Sequence, residues 1–251
     1  MKNDKNDKND KIDKSDKSDK IDKSGKNNLR RDLLLYAITD RSWLRRRSLE
    51  SVVRQAILGG ATFIQFREKK ICDENSIEEN FADKNSIEEK ILEDARAIKN
   101  LCAEFNVPFV VNDDVLLAKK IDADGAHIGQ GDMPLGKARE ILGEEKIIGV
   151  SAQNVDQAIL AQRLGADYLG VGAIFQTQSK DDADSVSIET LRSICAAVEI
   201  PVVAIGGINC ENILRLEKSG IAGVSVISAI FAADDICAAA FALKEKVLKI
   251  V

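Results

Sequence analysis

Polar and charged side chains in this chain gather where apolar, β-branched runs end, and several of those ends carry residue types suited to phosphate chemistry. The run at 62–66 passes into Gln65-Phe66-Arg67-Glu68-Lys69. Side chains alternate along a strand, so Gln65, Arg67 and Lys69 fall on one side of it. A forked guanidinium, an ammonium and an amide converging there suit a di- or polyphosphate; a solvated, charged strand end is the plainer alternative. The following run ends Val111-Asn112-Asp113-Asp114, and the one after it leads into Gly129-Gln130-Gly131-Asp132. Two carboxylates from adjacent strand ends supply the hard oxygens that Mg²⁺ takes, with substrate phosphate oxygens completing the shell. Asp113 or Asp114 could equally cap a helix expected to start at Val115.

A second group of ends suits a phosphate monoester. The run at 167–175 leads into Gln176-Thr177-Gln178-Ser179-Lys180, whose hydroxyls and lysine are phosphate donors, or simply a polar loop. The run at 201–205 gives way to Gly206-Gly207, and Ile227-Ser228 lies in the run at 223–230. Glycine amides and a small hydroxyl near a helix start form a phosphate cradle common in barrels. His127 is the only histidine and sits inside an apolar run. It is expected as a hydrogen-bonded core residue, with a catalytic base as the alternative, and no nucleophilic triad can be assembled around it. Two anion sites without an evident nucleophile suggest departure of a diphosphate and capture of the remainder by a second, phosphorylated substrate.

The elements that must position these groups follow from periodicity. Apolar runs at 33–39, 62–66, 107–111, 125–129, 146–150, 167–175, 201–205 and 223–230 alternate with helical patterns at 48–58, 86–105, 114–121, 135–142, 154–164, 188–198, 211–218 and 234–249. Eight βα units imply a parallel sheet buried on both faces. The first strand ends Ile38-Thr39-Asp40-Arg41 without the glycine-rich turn of an open dinucleotide-binding sheet. A single (β/α)₈ TIM barrel over 28–251 is therefore expected, with its site at the C-terminal ends of the strands. Residues 1–27 are Lys/Asp triplets with almost nothing apolar, and are expected to be a disordered tail. Asp73–Glu79 is echoed by Asp83–Glu89, and this duplication is expected to form an inserted loop at 71–89.

Composition narrows the function classes. A net charge of −5 offers no cationic face for nucleic acid. The five cysteines are scattered and never form a CxxC pair, which speaks against a zinc site or disulfide framework and for a reducing compartment. No apolar run reaches transmembrane length and no signal-peptide pattern opens the chain, so a cytoplasmic location is expected.

The segments QFREK, VNDD, DGAHIGQGD, GVS, DYLGVGAIFQTQSKDDA, VVAIGGI and VSVISAI occur in an order and spacing that resemble the thiamine phosphate synthase family, over nearly all of 33–249. The resemblance implies a transferase that condenses hydroxymethylpyrimidine diphosphate with thiazole phosphate, plain or carboxylated, and releases pyrophosphate dissociatively. It also implies that Gln65, Phe66, Arg67, Glu68, Lys69, Asn112, Ser151 and Lys180 hold the pyrimidine diphosphate, with Arg67, Lys69, Ser151 and Lys180 acting in catalysis. Asp113 and Asp132 would ligate Mg²⁺, and Thr177, Gln178, Ser179, Gly207, Ile227 and Ser228 would contact the thiazole phosphate. The partners would be these small molecules, and a homo-oligomer is compatible. The family often reads Pro-Thr-x-Thr-Lys after the sixth strand, where this chain has Gln176-Thr-Gln-Ser-Lys180. Losing the proline frees one backbone angle, while Ser179 keeps the hydroxyl. The competing readings are a thiazole tautomerase on the same fold, a non-catalytic barrel that binds thiazole phosphate, and a sugar-phosphate isomerase or aldolase. The first has no use for the Mg²⁺ carboxylates or the QxRxK cluster; the second would be expected to lose such convergent charges first, and none is missing; the last requires an acid–base pair or a Schiff-base lysine.

Overall fold

The structure, a computed structural model, describes residues 25–68, 81–176 and 185–251. Eight parallel strands close into a barrel in sequence order: β1 (Leu35–Ile38), β2 (Phe63–Phe66), β3 (Phe109–Asn112), β4 (Gly125–Ile128), β5 (Ile147–Ala152), β6 (Tyr168–Val171), β7 (Val202–Ile205) and β8 (Gly223–Val226). Closure is made by β1 against β8, with Leu35 opposite Val224 and Ala37 opposite Val226. Strand alternation sorts the residues into two layers. Ala37, Ile64, Phe66, Phe109, Val111 and Ile128 face outward into the main core under the helices. Tyr36, Ile38, Phe63, Val110, Tyr168 and Val203 form a second, inner cluster.

The outer layer comprises α1 (Gly25–Asp32), α2 (Leu49–Leu58), α3 (Phe81–Glu104), α4 (Val115–Lys120), α5 (Leu135–Leu142), α6 (Val155–Arg163), α7 (Ile188–Ala197), the one-turn α8 (Ser228–Phe231) and α9 (Ile236–Val247). Side-chain caps fix several helix starts at the βα loops: Ser48, Asn154, Ser187 and Asp235 each accept from a backbone N–H three residues on. Helix α1 precedes β1 and crosses the 27/28 boundary suggested by composition; its Leu29 joins the inner cluster with Leu33.

Two elements differ from expectation. The second copy of the duplicated segment, 83–89, lies within α3 and not in a loop, while the first copy is outside the described residues. Downstream of it, Ile91, Leu92, Ala95, Ile98 and Cys102 carry an apolar stripe at helical spacing, and the helix runs back through the copy, where Lys84, Glu88 and Glu89 are good helix formers although Asp83, Asn85 and Ser86 are not. The helix expected at 211–218 is a 3₁₀ turn, Ile213–Leu216. Asn209 Oδ1 accepts from the amides of Glu211 and Asn212, a local bonding pattern that competes with a longer helix, and Lys218 at φ 59° ends the segment. Among the described residues, no helix is long and apolar enough to cross a membrane.

Candidate active site

The C-terminal ends of the strands enclose a cavity of about 500 Å³. It is lined by Gln65 and Arg67 from β2, Asn112 and Asp113 from β3, His127 and the loop Gly129–Asp132 after β4, and Ser151 from β5. On the opposite side stand Gly206 and Gly207 after β7, then Ser225, Ile227 and Ser228 of the β8 region. Nine residues that the resemblance assigns to the site thus share one cavity: Gln65, Arg67, Asn112, Asp113, Asp132, Ser151, Gly207, Ile227 and Ser228. Lys69, Thr177, Gln178, Ser179 and Lys180 lie outside the described residues.

Two expected residues are placed elsewhere. The Phe66 side chain, next in the strand after Gln65, faces outward and packs against the Phe109 ring, with centroids 6.4 Å apart. Glu68 is engaged by Arg41, whose Nε donates to it at 2.6 Å while Nη2 donates to Asp94 at 2.8 Å. Neither lines the cavity.

Arg67 is positioned by the end of β1. Its backbone N–H donates to Thr39 Oγ1 at 3.0 Å, and its Nη1 donates to Asp40 Oδ2 at 3.2 Å. Both partners of that ion pair are largely buried, with 17% and 7% of their side chains exposed, so the guanidinium is held in place rather than waving in solvent. Asp40 in turn accepts from the amide of Ser42, which caps the 3₁₀ turn Arg41–Trp43.

The ambiguity between Asp113 and Asp114 resolves cleanly. Asp114 caps α4, its Oδ1 accepting from the Leu117 amide at 2.8 Å. Asp113 adopts φ 61°, a left-handed conformation that Asp tolerates better than most residues, and lines the cavity. Asn112 Nδ2 donates to its carboxylate, and its own amide donates to the His127 carbonyl at 2.8 Å. Across the loop, Asp132 Oδ2 accepts from the Gly129 amide at 2.7 Å. Among the described residues no group of three or more His, Cys, Asp or Glu converges as a ready-made metal cage. Two carboxylates with amide neighbours match the sparse protein contribution typical of Mg²⁺, which leans on substrate phosphates and water.

On the opposite wall, Gly206 and Gly207 take φ 97° and 63°. A Cβ on Gly206 would meet Ala173, and one on Gly207 would meet the carbonyl oxygens of Phe175 and Gln176, so both conformation and space require glycine. Asn212 Nδ2 donates to the Gly207 carbonyl at 2.8 Å and pins the turn.

Lining residues not singled out in the sequence include Tyr36 and Ser225, and Asp40, which supports Arg67 from outside the lining, was not singled out either. Tyr168, fully buried, stands behind His127. Ser225 is 2% exposed, and its hydroxyl has no hydrogen-bond partner among the described residues. A signal existed for the phenols: the chain's only two tyrosines both lie within apolar runs. His127 is hydrogen-bonded and mostly buried as expected, and it also lines the cavity.

The family model for thiamine monophosphate synthase matches residues 35–230. The chain belongs to that family. Thiamine-phosphate synthase from Clostridium tetani is 46% identical over 210 residues, covering 84% of this chain and 93% of its own. The enzyme of the same name from Ruminiclostridium cellulolyticum is 44% identical over 219 residues, covering 87% and 95%. Among solved structures, thiamine phosphate pyrophosphorylase from Pyrococcus furiosus superposes with a TM-score of 0.75 at 38% identity, covering 89% of this chain and all of that one. Membership makes the protein a transferase of thiamine biosynthesis built on a TIM barrel.

Proposed function

We propose that the cavity takes hydroxymethylpyrimidine diphosphate on the β2–β5 side and thiazole phosphate on the β7–β8 side, and couples them to thiamine phosphate. The observation that carries this reading is the placement of Arg67, Asn112, Asp113 and Asp132 across one mouth from the Gly206-Gly207 turn, Ile227 and Ser228. Breaking the bond between the pyrimidine methylene and the diphosphate sends its electron pair away with pyrophosphate. The aminopyrimidine stabilises the resulting cation, and the thiazole nitrogen lone pair then forms the new C–N bond. Arg67, held by Asp40, faces the charge that develops on the leaving group, a preorganised donor of the kind worth most in catalysis. Asp113 and Asp132 would hold Mg²⁺ together with diphosphate oxygens, and the ion would neutralise charge on the leaving group. The glycine amides and Ser228 would grip the monoester phosphate and so orient the thiazole.

The test is a coupled assay of the full chain with both substrates and Mg²⁺, quantifying thiamine phosphate and pyrophosphate, with EDTA as control. Equimolar products that vanish with EDTA support the reading. Absence of product while thiazole phosphate still binds would favour a tautomerase-like or purely ligand-binding barrel.

A further inference from the structure

A line of hydrogen-bonded side chains crosses the barrel beneath the cavity. Gln65 Nε2 on β2 donates to Tyr36 Oη on β1. Tyr36 Oη lies 2.8 Å from Tyr168 Oη on β6. Tyr168 Oη lies 3.0 Å from His127 Nδ1 on β4, and His127 Nε2 lies 3.0 Å from Ser151 Oγ on β5. Glycine at two inward positions makes the room: a Cβ on Gly149 would land on the Tyr168 phenol, and one on Gly170 would sit 3.0 Å from His127 Cε1.

The protons in this line can be counted. Burial holds both phenols above the ordinary tyrosine range, so each keeps its single proton. The amide nitrogen of Gln65 cannot accept, so the Tyr36 proton goes to the Tyr168 oxygen. That link being filled, the Tyr168 proton goes to His127 Nδ1. A neutral imidazole then carries its proton on Nε2 and donates it to Ser151 Oγ. The proton of Ser151 has no place in the line and is directed to the cavity.

We infer that Ser151 is held as a hydrogen-bond donor to the ligand, its polarity set from Gln65 through Tyr36, Tyr168 and His127, with the two tyrosines as positioning residues. The partner must be a lone-pair acceptor. Donation onto a pyrimidine ring nitrogen would withdraw electrons and oppose cation formation, whereas donation onto a diphosphate oxygen assists departure. The inference therefore rests on the proposed function in one respect, that Ser151 faces the diphosphate.

Because the chain has a single histidine, its tautomer can be read without assignment. The full chain, carrying no histidine tag, is labelled with ¹⁵N-histidine, and two-bond ¹H–¹⁵N correlations are recorded near neutral pH. The expected pattern is a protonated Nε2 and an unprotonated, hydrogen-bonded Nδ1. A protonated Nδ1, an imidazolium, or an average of both tautomers overturns the assigned polarity. In Tyr168→Phe, or Tyr36→Phe should that variant fold poorly, the fixed pattern should give way to mixed tautomers. Unchanged imidazole signals in a folded variant would overturn the relay. Calorimetric binding of Mg²⁺-pyrophosphate should weaken by about 3- to 10-fold in Tyr168→Phe, the scale of one hydrogen bond. Unchanged affinity would overturn the assignment of the diphosphate as acceptor. A coupled assay without product alongside the expected tautomer would sink the proposed function and leave the donor polarity of Ser151 standing.

Discussion

Gly207→Ala is the substitution whose cost can be worked most directly from the structure. At φ 63° an alanine meets the left-handed penalty, about 1–2 kcal/mol. Its Cβ would lie 2.8 Å from the Phe175 carbonyl oxygen and nearer still to that of Gln176, so backbone must move. Forced repacking of that kind costs about 1–3 kcal/mol. The total, about 2–5 kcal/mol, lowers the melting temperature of a barrel this size by roughly 4–20 °C. The displaced turn faces the side proposed to take thiazole phosphate, so KM for that substrate should rise more than KM for the pyrimidine diphosphate. Gly136→Ala is the matched control: it sits in α5, where an added methyl would meet nothing within 4 Å, and should hold or slightly raise stability. Differential scanning fluorimetry and initial rates on the three proteins decide the matter. A Gly207→Ala melting point within a degree of wild type, or equal effects on both KM values, would refute the reasoning from strain and placement.

Asp113→Asn preserves the tolerance for φ 61° while removing the charge, and so isolates metal binding from folding better than alanine would. It should lower Mg²⁺ affinity by more than about tenfold with the melting point nearly unchanged, since even outer-shell changes cost a metal site that much; full activity at low Mg²⁺ would remove Asp113 from the site. Arg67→Ala should weaken pyrimidine diphosphate binding by about 10- to 100-fold, the worth of a charged hydrogen bond, and leave thiazole phosphate binding alone; equal losses in calorimetry would count against the division into two sides. Removing residues 1–24 should leave turnover and melting unchanged, whereas removal through Asp32 also strips Leu29 from the inner cluster and should cost roughly 1.5–3 kcal/mol. Identical thermal melts for the two truncations would show that α1 does not stabilise the barrel.

The strands were legible because each is a short run buried on both faces, so apolar composition alone marks it: β1, β2, β4, β6 and β8 are buried at every position. The charged strand ends were legible for the same reason in reverse, since Arg67, Asp113 and Asp132 interrupt that composition at the place where a barrel opens. Orientation was harder. Alternation placed Gln65 and Arg67 together and sent Phe66 to the opposite face, so a motif read as a contiguous block overstated the number of side chains that reach the cavity. Glu68 was lost to a partner, Arg41, far enough along the chain that no local pattern announces the pair.

The polar line under the cavity was illegible for a different reason. Its members lie on five strands and are separated by up to 132 residues, as Tyr36 and Tyr168 are, so no spacing rule can join them. What creates the line is vacated volume. A barrel interior is ordinarily filled by branched side chains in layers. Here two inward positions, one on β5 and one on β6, are glycine: Gly149 and Gly170. The Tyr168 phenol and the His127 imidazole lie in part of that space, and the cavity takes the rest. The same two omissions thus open room for a ligand and bring its hydrogen-bonding floor together, which ties the shape of the site to the polarity of Ser151 in a way that only the closed barrel reveals.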